Sequence, residues 1–80
     1  MIHAEKAREL TETALASLYE ATLDFIERSI GKAAGEGYNY CTVQVHKNLV
    51  ESITFILQNY DYAVRPIDTK IEQEVLKISW

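Results

Sequence analysis

All three glycines of this chain, Gly31, Gly35 and Gly37, fall within seven residues, and its one proline, Pro66, lies far downstream. The stretch before them, His3 to Ile30, contains neither of the two residues that break helices. Glycine enters the left-handed backbone region without steric cost, so the cluster reads as a helix stop and a tight turn. It divides a single domain, residues 1–80, into a long helix over residues 1–34 and a compact half over residues 38–80.

On a helical wheel the first segment separates into faces. Leu10, Ala14, Leu18, Ala21, Thr22, Phe25, Ser29 and Ala33 share one side, widened by Leu15, Ile26 and Ile30. Glu5, Glu9, Glu12, Glu20, Asp24 and Glu27 line the other, where Asp24 reaches Arg28 at a spacing of four. Leu23 breaks the division. It projects from the acidic side near Tyr19, Ile26 and Ile30, so the C-terminal half of the helix is apolar over an arc wide enough for two neighbours. The N-terminal half carries small residues, Ala7, Thr11, Ala14 and Ser17.

Length sharpens this. A helix of some thirty residues spans roughly 45–50 Å at 1.5 Å per residue, whereas a compact domain of this size is only about 25–30 Å across. The remaining residues cannot cover its whole apolar face. The expectation is a self-associating helix, with Leu10, Ala14, Leu18 and Phe25 at the contact between copies of a homo-oligomer. The plainer alternative is one helix, frayed at its start, lying across its own small sheet.

Beyond the glycines, Tyr38 to Val45 alternates as a half-buried strand does, with Cys41, Val43 and Val45 inward and Tyr40, Thr42 and Gln44 outward. Asn48 with Glu51 three residues later reads as a variant capping box. The helix it opens turns Leu49, Val50, Ile53, Ile56 and Leu57 inward and ends near Asn59, where Asn59 or Asp61 takes the left-handed conformation. Tyr62 to Ile67 and Val75 to Trp80 form an antiparallel hairpin around the polar connection Asp68 to Glu72. Pro66 has no amide to donate, so its strand belongs at a sheet edge or ends there. The expected fold is α+β: a long N-terminal helix, then β-α-β-β with a small three-stranded sheet and helices packed on one face.

Composition narrows the classes. With 48% hydrophobic and 25% charged residues the chain is of ordinary globular type, and its one cysteine cannot form an internal disulfide. A net charge of −4 weighs against direct nucleic-acid binding, which needs cations to displace counterions. No apolar run approaches a membrane span, and the N-terminus lacks a secretory layout, so a cytoplasmic protein is expected.

A helix ending in Ala33-Ala34-Gly35, a short strand, a helix running into the Asn59-Tyr60 junction, and a hairpin closing on Ile78-Ser79-Trp80 resemble small uncharacterised proteins of tailed bacteriophages. The likeness spans most of residues 26–80 and its motifs are structural. Such proteins commonly end the second helix in glycine, where this chain has Asn59. The resemblance implies a binding protein acting in the host cytoplasm, and it offers no catalytic residues to carry over.

The candidate sites follow from side-chain chemistry. Gly31-Lys32 lacks the hydroxyl residue after the lysine and the earlier glycine of a phosphate loop, and it follows a helix instead of preceding one. Cys41 and His46 have opposite parity on a strand, so they do not form a nucleophile and base. His3 and His46 have no companion ligands, and neither a metal nor a cofactor is expected. Tyr38, Tyr40, Tyr60 and Tyr62 flank element junctions with Asn39 and Arg65 nearby. These six are the candidate ligand site, since tyrosines with an arginine clamp a nucleotide or anchor a protein contact, though they also suit the edge of a small core. The expected function is therefore that of a non-enzymatic, homo-oligomeric binding protein. It would act on a host protein or sequester a small nucleotide-like signal, as phage anti-defence proteins do; a virion assembly component is the alternative.

Overall fold

The computed structural model describes the whole chain, Met1 to Trp80. Helix α1 (Ala4–Gly35) leads into strand β1 (Tyr40–His46), a 3-10 turn (Lys47–Leu49), helix α2 (Val50–Asn59), and strands β2 (Ala63–Thr69) and β3 (Gln73–Ser79). This is the α+β arrangement expected from the sequence. The sheet order is β1-β3-β2 with both pairings antiparallel, so the last strand is central. Pro66 accordingly lies on an edge strand, and the register slips by one residue at Ile67 beside it.

Antiparallel partners point to the same side of a sheet. Cys41, Ile78 and Val64 form one row toward the helices, and Val43, Leu76 and Pro66 the next. Against those rows pack Ile26 of α1 and Leu49, Ile53 and Leu57 around α2, giving a core of eight buried residues with Val43, Val45, Leu76 and Ile78. Both helices thus cover one face of the sheet, and the other face is left to solvent. Eight residues are a small core for a chain of 80, which leaves little reserve of stability.

Both helices end in the same hydrogen-bonded motif. After α1 the Gly37 amide donates to the Ala34 carbonyl and the Tyr38 amide to that of Ala33, with Gly37 at φ 90°. After α2 the Asp61 amide donates to Gln58 and that of Tyr62 to Leu57, with Asp61 at φ 69°. Each is a Schellman stop with its left-handed residue just past the cap. Two expectations are corrected here. Gly31 and Gly35 do not stop the helix but lie within it, and the stop is the work of Gly37 alone. Asn48 does not cap α2: its amide donates to His46 Nδ1 at 3.1 Å, and a 3-10 turn carries the chain into the helix.

The strand boundaries also shift. β2 and β3 run on to Thr69 and back from Gln73, because the Lys70 amide reaches the Gln73 carbonyl at 2.8 Å and closes a shorter connection than the sequence suggested.

The molecule measures 52 × 21 × 20 Å, its long dimension set by α1. Every residue from Met1 to Ala14 is exposed, and the helix first meets the compact half at Leu15. The broad apolar side read from the helical wheel is split in two. Leu15, Tyr19, Leu23, Ile26 and Ile30 dock on the core, while Leu10, Leu18 and Phe25 stay 50%, 44% and 51% exposed.

Candidate functional site

The fold divides the six candidate ligand residues between two faces. Tyr38, Tyr40 and Arg65 belong to the solvent side of the sheet, whereas Tyr60 and Tyr62 border the helices. Asn39 sits at the junction, where its backbone carbonyl accepts the Trp80 amide at 3.0 Å and prolongs the β1–β3 ladder.

On the solvent side the register builds a specific patch. Thr42, Lys77 and Arg65 form one row across all three strands, and Tyr40, Ser79 and Ala63 form the row beside it. The Lys77 ammonium lies 4.8 Å from the centre of the Tyr40 ring, a cation–π contact. The Tyr38 ring meets Tyr40 edge-on at 6.1 Å, with both rings exposed to solvent. Lys77 and Arg65 are therefore like charges on directly opposed positions, an arrangement that costs stability when unscreened. Neither makes an ion pair. The two ion pairs of the molecule, Lys6–Glu9 at 3.7 Å and Asp24–Arg28 at 3.3 Å, both lie on α1. Asp68, one row further, has its Oδ1 occupied by the Thr69 amide at 2.9 Å.

Lys77 is the residue that sequence reasoning missed. Its signal was present: flanked by Leu76 and Ile78, it faces away from the core by strand parity. Its pairing with Arg65 follows only once the hairpin register is known.

On the helix side an apolar groove of about 350 Å³ lies between α1 and α2, lined by Leu23, Ile26, Ile30, Ile56, Leu57 and the rings of Tyr60 and Tyr62, with Glu27 at its rim. Tyr62 stands edge-on to Trp80 at 6.1 Å, closing the end of the core. The groove offers shape and apolar contact but only one charged group, so it does not share the chemistry of the sheet face.

The remaining nucleophile is held back by its surroundings. Cys41 faces the helices from β1, and burial pushes its thiol up from the ordinary value, which favours the unreactive protonated form. His46 is engaged in holding the turn before α2 through Nδ1.

No helix is long and apolar enough to cross a membrane. Comparison with protein-family models, with curated proteins and with solved structures finds no match to this chain.

Proposed function

We propose that this chain is a non-enzymatic binding protein whose solvent-facing sheet captures a small anionic ligand bearing a ring, of the nucleotide class. The observation that carries this reading is the Lys77–Arg65 pair, unneutralised and cross-strand, beside the exposed rings of Tyr40 and Tyr38. A phosphate between the two cations removes their repulsion and gains charge-assisted hydrogen bonds, which Arg65 can make in bidentate fashion. A base laid on the Tyr40 face that Lys77 leaves open gains stacking area. Thr42 adds a hydroxyl in the same row. The resemblance to small phage proteins supplies a setting: sequestration of a host nucleotide signal, which requires capture and no chemistry.

Thermal shift and calorimetric titration with mononucleotides, cyclic nucleotides and inorganic phosphate test the proposal, since a ligand that binds the folded state raises its melting temperature. Nucleotides are expected to bind more tightly than phosphate alone. Lys77→Ala and Arg65→Ala should each weaken binding about tenfold or more, in line with ~1.5–3 kcal/mol for a hydrogen bond to a charged group. Absence of any shift, or undiminished binding in both variants, would overturn the site.

A further inference from the structure

We infer that a second copy of this chain docks antiparallel along the exposed face of α1, with Ala14 of one helix against the partner's Ala21. The face is formed by Leu10, Ala14, Leu18, Ala21 and Phe25, all exposed, and it lies roughly a third of a turn from the face that docks on the core at 3.6 residues per turn. The chain's own sheet and second helix therefore leave it free.

Three properties of this face select a second copy as its occupant. First, Ala7, Ala14 and Ala21 recur every seven residues, which keeps small side chains on one seam and lets two helix axes approach toward the lower end of the usual ~8–10 Å. Second, the face is self-complementary when reversed. About a two-fold axis between Ser17 and Leu18, Leu10 comes opposite the partner's Phe25 and Ala14 opposite the partner's Ala21, while at the axis each Leu18 sits against the partner's smaller Ser17. This is the isologous pattern of a two-fold dimer.

Third, charge rejects the parallel alternative. Arg28 and Lys32 continue the same line along the helix, and a parallel pair would stack each against its own copy. Reversal sets Arg28 beside the partner's Ala7, brings Lys6 to the flank that carries the partner's Asp24, and opposes the helix dipoles. Lys32 then reaches only the partner's helix end at His3.

The area is small. From Ala7 to Arg28 the seam runs roughly 30 Å at 1.5 Å per residue and is about one helix diameter of ~10 Å wide. That is a footprint of about 300 Å² per partner and roughly 600 Å² for the pair before the relief of the side chains, which places the contact among small interfaces near the ~1,000 Å² threshold. Docking also covers Ala4–Ala14, which is exposed throughout and precedes the first core contact of α1 at Leu15.

Sedimentation of the full chain is expected to show a dimer. Leu18→Glu and Phe25→Glu should each give a monomer, while their effect on nucleotide binding reports separately on the sheet face. Cross-linking decides the direction. In a Cys41→Ser background, Ala14→Cys and Ala21→Cys chains carrying different mass tags are mixed and oxidised; a disulfide between the two variants, with neither linking to itself, is the expected result. Self-linked Ala14→Cys and Ala21→Cys chains would overturn the antiparallel arrangement. A monomer at high micromolar concentration would overturn docking altogether, and open-ended assembly would replace the closed dimer by the polymer of a virion component.

Discussion

Gly37 and Asp61 occupy equivalent places, each the left-handed residue that ends a helix and delivers a tyrosine to the next segment. The three glycines are consequently unequal. A Cβ at Gly31 would meet no atom within 4 Å, and the residue lies in helix interior. Gly31→Ala should therefore raise stability by about 1 kcal/mol, the helix-propensity difference. Gly37→Ala should lower it by roughly 1–2 kcal/mol, because φ 90° is unfavourable for a residue with a Cβ. Asp61→Gly should stabilise by a smaller amount than Gly37→Ala costs, since aspartate tolerates this region better than alanine does. Urea unfolding of the three variants checks both the signs and the order. The turn at Asp61 was legible as one of two candidates, but its exact residue depended on which carbonyls the last turn of α2 leaves free.

Cys41 supplies a pH test at the same scale. Burial raises its thiol pKa in the folded chain, so the folded state binds the proton more firmly than the unfolded one does. That contribution is fully present below the unfolded value and is lost as pH rises through the folded one. Stability should accordingly fall as pH climbs beyond about 8.5, the ordinary thiol value. Cys41→Ala should flatten that fall, as read from melting curves between neutral and alkaline pH. Alkylation by iodoacetamide should likewise run more slowly in the folded chain than in urea. Equal rates would show that the thiol is not protected.

At the scale of elements, the compact half depends on α2 more than its ten residues suggest. Ile53 is completely buried in the core it shares with the sheet and Ile26, whereas Phe55, two residues on, is 68% exposed. Ile53→Ala should cost about 2–5 kcal/mol, a large part of the stability of so small a domain. Phe55→Ala should stay within ~0.5 kcal/mol, as surface changes do. Denaturant midpoints for the pair separate the two directly, and similar values would mean that α2 is rotated from its described position.

The same scale shows what could be read in advance. Strand alternation placed Cys41, Val43 and Val45 correctly, because period-two patterning has only two solutions and one of them puts every polar residue inside. The helical wheel of α1 was less decisive. Its two apolar arcs, around Ile26 and around Leu18, are similar in width, and periodicity reports width without naming the partner. The sheet patch was harder still. Tyr38, Tyr40 and Arg65 could be grouped by chemistry, but separating them from Tyr60 and Tyr62 required the β1-β3-β2 order, which puts Lys77 between Thr42 and Arg65.

For the whole molecule, the free length of α1 makes helix content a gauge of association. Ala4–Ala14 is exposed throughout and precedes the first core contact at Leu15, so its eleven residues are held only by propagation from the docked turns, which adds little stability per residue in water. A chain without a partner should fray over those three turns while β1, β3 and α2 keep their core. Dilution below the dimer dissociation constant should thus reduce the helical circular dichroism at 222 nm, with the near-ultraviolet signal of Trp80 against Tyr62 retained. Heating should show the same division: an early loss of helix whose midpoint rises with protein concentration, by mass action, and a later loss of the compact half whose midpoint rises far less. Leu18→Glu should remove the concentration dependence of the first step and leave the second in place. Helix content and melting that do not change across a hundredfold dilution would mean that α1 stands alone, and that its exposed apolar face is not what holds its first three turns.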